Sequence, residues 1–139
     1  MTGRIVVGVD GSEGSDRALA FALEEGRLRD WEVEVVHAWA FPAITYSPYG
    51  PTPTLGEAEL EAAGVEVLDR TLETANTAGA RVTRRLVMGG SAPALLHAAA
   101  SADLLVVGTR GHGGFAGLLL GSTSQHCAHH PPCPLVIVP

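Results

Sequence analysis

Lysine is absent from this chain. All nine basic side chains are arginine, which excludes phosphate chemistry that relies on a P-loop lysine and any mechanism that runs through a lysine Schiff base. Positive charge is also sparse. Fifteen acidic residues give a net charge of −6, and the arginines are scattered except for Arg81, Arg84 and Arg85. Nucleic acid is therefore not an expected partner, because counterion displacement needs a basic stripe. Long apolar runs are missing too. Hydrophobic residues make up 46% of the chain, yet no stretch of about 18 uncharged apolar residues occurs, so no membrane span is expected. Cys127 and Cys133 are the only cysteines, too few for a disulfide framework. Met1-Thr2-Gly3-Arg4 leads straight into an apolar segment; no room for a signal peptide is apparent, and the cytosol is the expected compartment.

What is present alternates. Apolar strands are expected over Ile5 to Val9, Val33 to Trp39, Val82 to Met88, Leu104 to Gly108 and Leu135 to Val138. Helical patterns lie between them. Ser12 reads as the N-cap of a helix reaching Leu28. Thr54-Leu55-Gly56-Glu57 fits a capping box, with Thr54 as cap. Leu60, Gly64, Val67, Leu68, Thr71, Leu72 and Ala75 then form one helical stripe. Ser91 is expected to cap a helix with Pro93 in its first turn. Ser122 to His129 reads as a short last helix. Five strands with helical crossovers, in one domain spanning residues 1–139, imply an α/β fold with a parallel sheet covered on both faces. Ala40 to Pro53, with four prolines, is expected to be a long loop without regular structure.

Two strand ends carry the chemistry. Ligands of open α/β sheets bind beyond the carboxyl ends of strands. After the first strand comes Gly8-Val9-Asp10-Gly11-Ser12; after the fourth comes Gly108-Thr109-Arg110-Gly111, nine residues, then Gly121-Ser122-Thr123-Ser124. Glycines allow the backbone close to a ligand, and a helix N-terminus with hydroxyls offers donors and a positive dipole end to phosphates. Asp10 is suited to accept hydrogen bonds from an adenine amino group or a ribose hydroxyl; the lesser alternative is that it caps the first helix.

The spacing Gly108-x2-Gly111-x9-Gly121-Ser122 resembles that of the ATP-binding universal stress proteins. So do Ile5-Val6-Val7-Gly8-Val9-Asp10-Gly11-Ser12, His37-Ala38-Trp39 and Cys133-Pro134-Leu135-Val136-Ile137-Val138. The family's Gly-x-Pro-Ala turn stands here as Gly90-Ser91-Ala92-Pro93, with its last two residues reversed. The resemblance implies a Rossmann-like open sheet in the order 3-2-1-4-5, with ATP between the first and fourth strands. It implies that Gly8, Val9, Asp10 and the Ala38 backbone contact adenine and ribose, and that Val107 and Gly108 line the ribose. Gly111, Gly121, Ser122, Thr123 and Ser124 would hold the phosphates, with a divalent ion such as magnesium or manganese bridging them. A homodimer through the last strand is implied as well, because Leu135 to Val138 is an apolar edge.

Other readings carry less. Gly111-x-Gly113-x-x-Ala116 matches a short dinucleotide motif, but it follows the fourth strand and no acidic residue stands about 20 positions on. His126 and His130, four apart and near both cysteines, make up part of a zinc site without its full ligand set. His37 and His97 read as packing residues. Ser122 lacks the G-x-S-x-G elbow, and no nucleophile–base pair or carboxylate dyad assembles. The expected function is a nucleotide-responsive regulatory or stress-resistance module. The alternatives are a slow metal-dependent ATPase or adenylate-handling enzyme using Asp10 or His112, and a dimeric interaction protein without nucleotide.

Overall fold

The computed structural model of the chain describes residues 2–40, 46–47, 50–51, 56–109 and 121–139. Five parallel strands form the main sheet: β1 (Arg4–Gly8), β2 (Glu32–Trp39), β3 (Arg81–Met88), β4 (Leu104–Gly108) and β5 (Leu135–Val138). Their order across the sheet is 3-2-1-4-5, as expected. Ile5 pairs with Val33 on one side and Leu104 on the other, so β1 lies at the centre. Among the described residues four helices join the strands: α1 (Glu13–Arg29), α2 (Glu57–Thr74), α3 (Ser91–Ala99) and α4 (Ser122–His129).

The central strands β1 and β4 are apolar on both faces because both faces are covered. On one, Ile5, Val7, Val33, Val35 and Val106 pack under Ala18, Leu19, Ala22 and Leu23 of α1 and Leu68 of α2. On the other, Val6, Val36, Leu105 and Val107 pack under Leu95, Ala98 and Ala99 of α3 and Cys127 of α4. Burying a leucine such as Leu19 or Leu23 stabilises the fold by about 1.5–3 kcal/mol.

The sheet's two edges differ. Along β3, Arg81, Thr83, Arg84 and Arg85 are exposed, and the arginines pair with Asp30, Asp69 and Glu34 respectively. All four β5 residues are apolar and half-buried. Glu34 is nearly enclosed, with Arg4 Nη1 at 2.9 Å and Arg85 Nε at 3.0 Å. Arg4 also donates to the Ala98 carbonyl and to Ser101 Oγ, pinning the end of α3 to the start of β1.

Local chemistry explains each helix start. Ser12 caps α1 as expected, its Oγ accepting from Ser15 N at 3.2 Å. Glu13 and Asp16 in the first turn, with Arg27 and Arg29 in the last, complement the dipole. The cap of α2 differs from expectation. It is Gly56, and Glu59 rather than Glu57 reaches back, accepting from Gly56 N at 3.3 Å; Thr54 lies outside the described residues. Of the α2 stripe, Gly64, Leu68 and Thr71 are buried. A Cβ on Gly64 would meet Leu86 Cδ1 at 2.7 Å, so this glycine sets how close α2 approaches β3. In α3 the cap is Gly90, and Ser91 is the first helical residue instead of the cap. Its hydroxyl is engaged by Thr123 of α4. The proline-rich connection is not wholly irregular: Tyr46–Ser47 pairs antiparallel with Gly50–Pro51. Pro51 has no N–H with which to extend that ladder.

Candidate functional site

The carboxyl ends of β1 and β4 lie side by side, and α1 and α4 begin just beyond them. A Cβ on Gly108 would come within 2.8 Å of the Gly14 carbonyl oxygen. The bare backbone of β4 therefore abuts the first turn of α1. Gly8 is tight in the same sense, since its Cβ would meet Leu95 Cδ1 at 2.6 Å. Both glycines let helices close on the strand ends, a packing role beside any part in ligand contact.

Asp10 is built into this corner. Its Oδ1 accepts from both the amide and the hydroxyl of Ser12. Its own N–H donates to Ser15 Oγ at 3.2 Å, and Ser15 Oγ donates to the Ser12 carbonyl at 3.1 Å. Asp10 thus does support the start of α1, and the same bonds hold its half-buried carboxylate in one orientation at the mouth. Val9 is committed on both sides. Its N–H donates to the Val36 carbonyl at 2.9 Å, and its own carbonyl accepts from His37 Nδ1 at 2.8 Å. His37 is therefore more than packing. Because a carbonyl only accepts, Nδ1 carries the proton and the ring ties β2 to the end of β1. Ala38 is half-buried on β2. The Val107 side chain is buried in the core beneath α3 and α4.

The start of α4 is held by one carbonyl. Thr109, immediately after β4, accepts from Gly121 N–H and from Ser124 Oγ, the latter at 2.9 Å. Ser124 Oγ also lies 3.1 Å from the Gly121 carbonyl, and the residue is buried. The three hydroxyls of the motif therefore differ. Ser124 faces inward and fastens the neck of the glycine loop. Thr123 is half-buried, its Oγ1 2.7 Å from Ser91 Oγ on α3. Ser122 is exposed in the first turn. Gly121 precedes them as the N-cap, with no side-chain cap and no acid in the first turn of α4. Gly111 and His112 lie outside the described residues. Sequence reasoning missed Thr109 and Ser91 in these roles. Thr109 stands at an unspecified position of the glycine motif and Ser91 in the turn that opens α3, and their partners are distant along the chain.

The histidine–cysteine segment is a different matter. Cys127 is fully buried in the core, and burial pushes its thiol above the usual range. Cys133 is raised as well, first by burial and then by the Asp103 charge. His126, His129 and His130 are exposed, as is His97, which does not pack as expected. Among the described residues no group of three or more histidine, cysteine, aspartate or glutamate side chains is arranged to hold a metal ion. None of the described helices is long and apolar enough to cross a membrane.

Comparison with known proteins supports the family resemblance. The family model described as the universal stress protein family matches residues 1–139. A universal stress protein of Thermus aquaticus is 37% identical over 146 aligned positions, covering 96% of each chain. One of Mycobacterium tuberculosis is 33% identical; the match takes in 96% of this chain but 44% of that protein. The chain thus spans under half the length of several curated mycobacterial relatives it matches. Among solved structures, a universal stress protein in complex with cAMP superposes with a TM-score of 0.67 at 29% identity, over 99% of this chain and 96% of that one. A family match over the whole length, relatives above the 30% level and a shared sheet order agree: this chain belongs to the universal stress protein family.

Proposed function

We propose that the chain is an ATP-binding module whose nucleotide state regulates a stress-resistance response, and that it does not turn ATP over at an enzymatic rate. The observation that carries this reading is the start of α4. Gly121, Ser122 and Thr123 form a helix N-terminus without an acid, fastened by Thr109 beside the strand end that bears Asp10. Such a terminus suits a phosphate chain. In this reading Gly8, Val9, Asp10 and the Ala38 backbone contact adenine and ribose, and Val107 and Gly108 line the ribose. Gly111, Gly121, Ser122 and Thr123 hold the phosphates, joined by Ser124 through its backbone N–H. A bridging magnesium or manganese ion, if bound with the nucleotide, would offset phosphate charge beside Ser122 and Thr123. The Ser122 and Thr123 hydroxyls are hard oxygen donors suited to either ion.

The solved relative in complex with cAMP supports adenine-nucleotide binding in general and makes the cyclic monophosphate a competing ligand. Calorimetry with ATP, ADP, cAMP and adenosine on the parent, Asp10→Ala and Gly121→Val separates the contributions. Asp10→Ala should weaken all four ligands, whereas Gly121→Val should abolish the preference for longer phosphate chains on steric grounds. ATP binding by Gly121→Val at the parent's affinity would move the site elsewhere. Turnover of about 1 per second or more, within the usual enzymatic range, would favour the ATPase reading instead. The module is further proposed to be a single cytosolic domain that dimerises through β5. Val136→Lys should give monomers in light scattering, and unaltered dimers would refute that interface.

A further inference from the structure

Ser91 Oγ and Thr123 Oγ1 lie 2.7 Å apart although 32 positions separate them in the chain. Ser91 is the first residue of α3 and Thr123 the second of α4, so the two helices touch at their N-terminal ends. The contact is not what serine ordinarily does at a helix start. A serine one position earlier would cap the helix; here Gly90 takes the cap without a side-chain bond, and the Ser91 hydroxyl turns to α4 instead. The surrounding charge is also selective. The first turns of α1 and α2 carry Glu13, Asp16, Glu57 and Glu59, whereas those of α3 and α4 carry no acid.

A hydroxyl has one proton to donate and two lone pairs to accept with. Ser124 directs its proton inward to Thr109, so among the motif's hydroxyls Ser122 and Thr123 remain to face a ligand. If Ser91 donates to Thr123, the Thr123 proton is released for another acceptor, and the donated bond polarises that O–H. We propose that Ser91 is a positioning residue for the phosphate end of the site, acting through Thr123 and not by touching the ligand. This rests on the ATP-binding reading above. It adds a residue of α3 to a site otherwise built from the ends of β1 and β4 and the start of α4, and it makes the effect specific to ligands that carry phosphates.

The test is a double-mutant cycle read by calorimetry with two probes, ATP with magnesium and adenosine. Ser91→Ala should weaken ATP about 3- to 10-fold, the range of one neutral hydrogen bond, and leave adenosine unchanged. Ser91→Thr, which keeps the hydroxyl, should restore ATP affinity. In a Thr123→Val background Ser91→Ala should have no further effect. Melting midpoints of each variant separate lost contact from lost fold. Unchanged ATP affinity in Ser91→Ala, an equal loss for adenosine, or full additivity with Thr123→Val overturns the positioning role while leaving the nucleotide reading intact. A parent chain with no affinity for ATP overturns that reading, and the inference with it.

Discussion

Ser124→Ala separates a hydroxyl that fastens the site from one that serves a ligand. The Ser124 side chain is 2% exposed and donates to the Thr109 carbonyl at 2.9 Å, with the Gly121 carbonyl 3.1 Å away. Removing the hydroxyl deletes one net hydrogen bond, about 0.5–1.5 kcal/mol. Thr109 keeps the Gly121 N–H as a donor, so its carbonyl is not orphaned, and the void left is a single oxygen atom. The loss should therefore total about 1–2 kcal/mol, a fall of about 3–8 °C in melting midpoint for a domain of this size. Ser122→Ala, at an exposed first-turn position, should change stability by less than about 0.5 kcal/mol. Its effect should appear in ATP affinity. Differential scanning calorimetry on both variants, with and without ATP, gives the comparison directly. A Ser124→Ala midpoint equal to the parent's, together with a loss of ATP affinity like that of Ser122→Ala, would refute the inward fastening.

Gly108→Val should destabilise by about 1–3 kcal/mol or more, because its Cβ would stand 2.8 Å from the Gly14 carbonyl oxygen and backbone yields less than a side chain; thermal melting checks it. Gly8→Ala should be milder, since what it meets is the Leu95 side chain. Glu34→Ala takes the carboxylate from Arg4; as Arg4 keeps the Ala98 carbonyl, Ser101 Oγ and some solvent access, the loss should fall below the 3–5 kcal/mol range for a broken buried pair, about 1–3 kcal/mol by urea titration. Cys127 should resist alkylation until the chain unfolds. With its folded thiol raised above the ordinary 9.0, its share of stability is intact below that pH and is lost as pH climbs past it, when only the unfolded chain can ionise freely. Denaturant melts from pH 8 upward on the parent and Cys127→Ala measure the difference.

The strands were legible because they rest on apolar runs, and the sheet order followed from the family resemblance carried by motifs whose parts are close in sequence. The Ser12 cap was legible for the same reason, since its partner Ser15 is one turn away. Local signals failed where a nearby rival existed. Thr54-x-x-Glu57 fits a box, but the helix starts two residues later, at Gly56, with only the reach-back bond from Gly56 N–H to Glu59. Ser91 looked like a cap, and only the fold reveals the hydroxyl of α4 that draws it away. His37 and Thr109 were beyond reach from sequence. His37 finds a carbonyl 28 positions earlier, and Thr109 receives a hydroxyl 15 positions later across the glycine loop. Nothing in a residue's own neighbourhood announces a partner that topology supplies.

The unequal edges of the sheet bear on how many copies can join. A strand edge is a site of further growth, and a sheet with two open edges behaves like a monomer with two reactive ends, able to extend without limit. Here the β3 edge shows Arg81, Thr83, Arg84 and Arg85 to solvent, and a second strand laid against it would set like charges side by side. The β5 edge bears Leu135, Val136, Ile137 and Val138. If two copies pair through β5 as proposed, the chain acts as a terminator for its own kind. On that pairing, the arginine-bearing β3 edge is no starting place for a third copy.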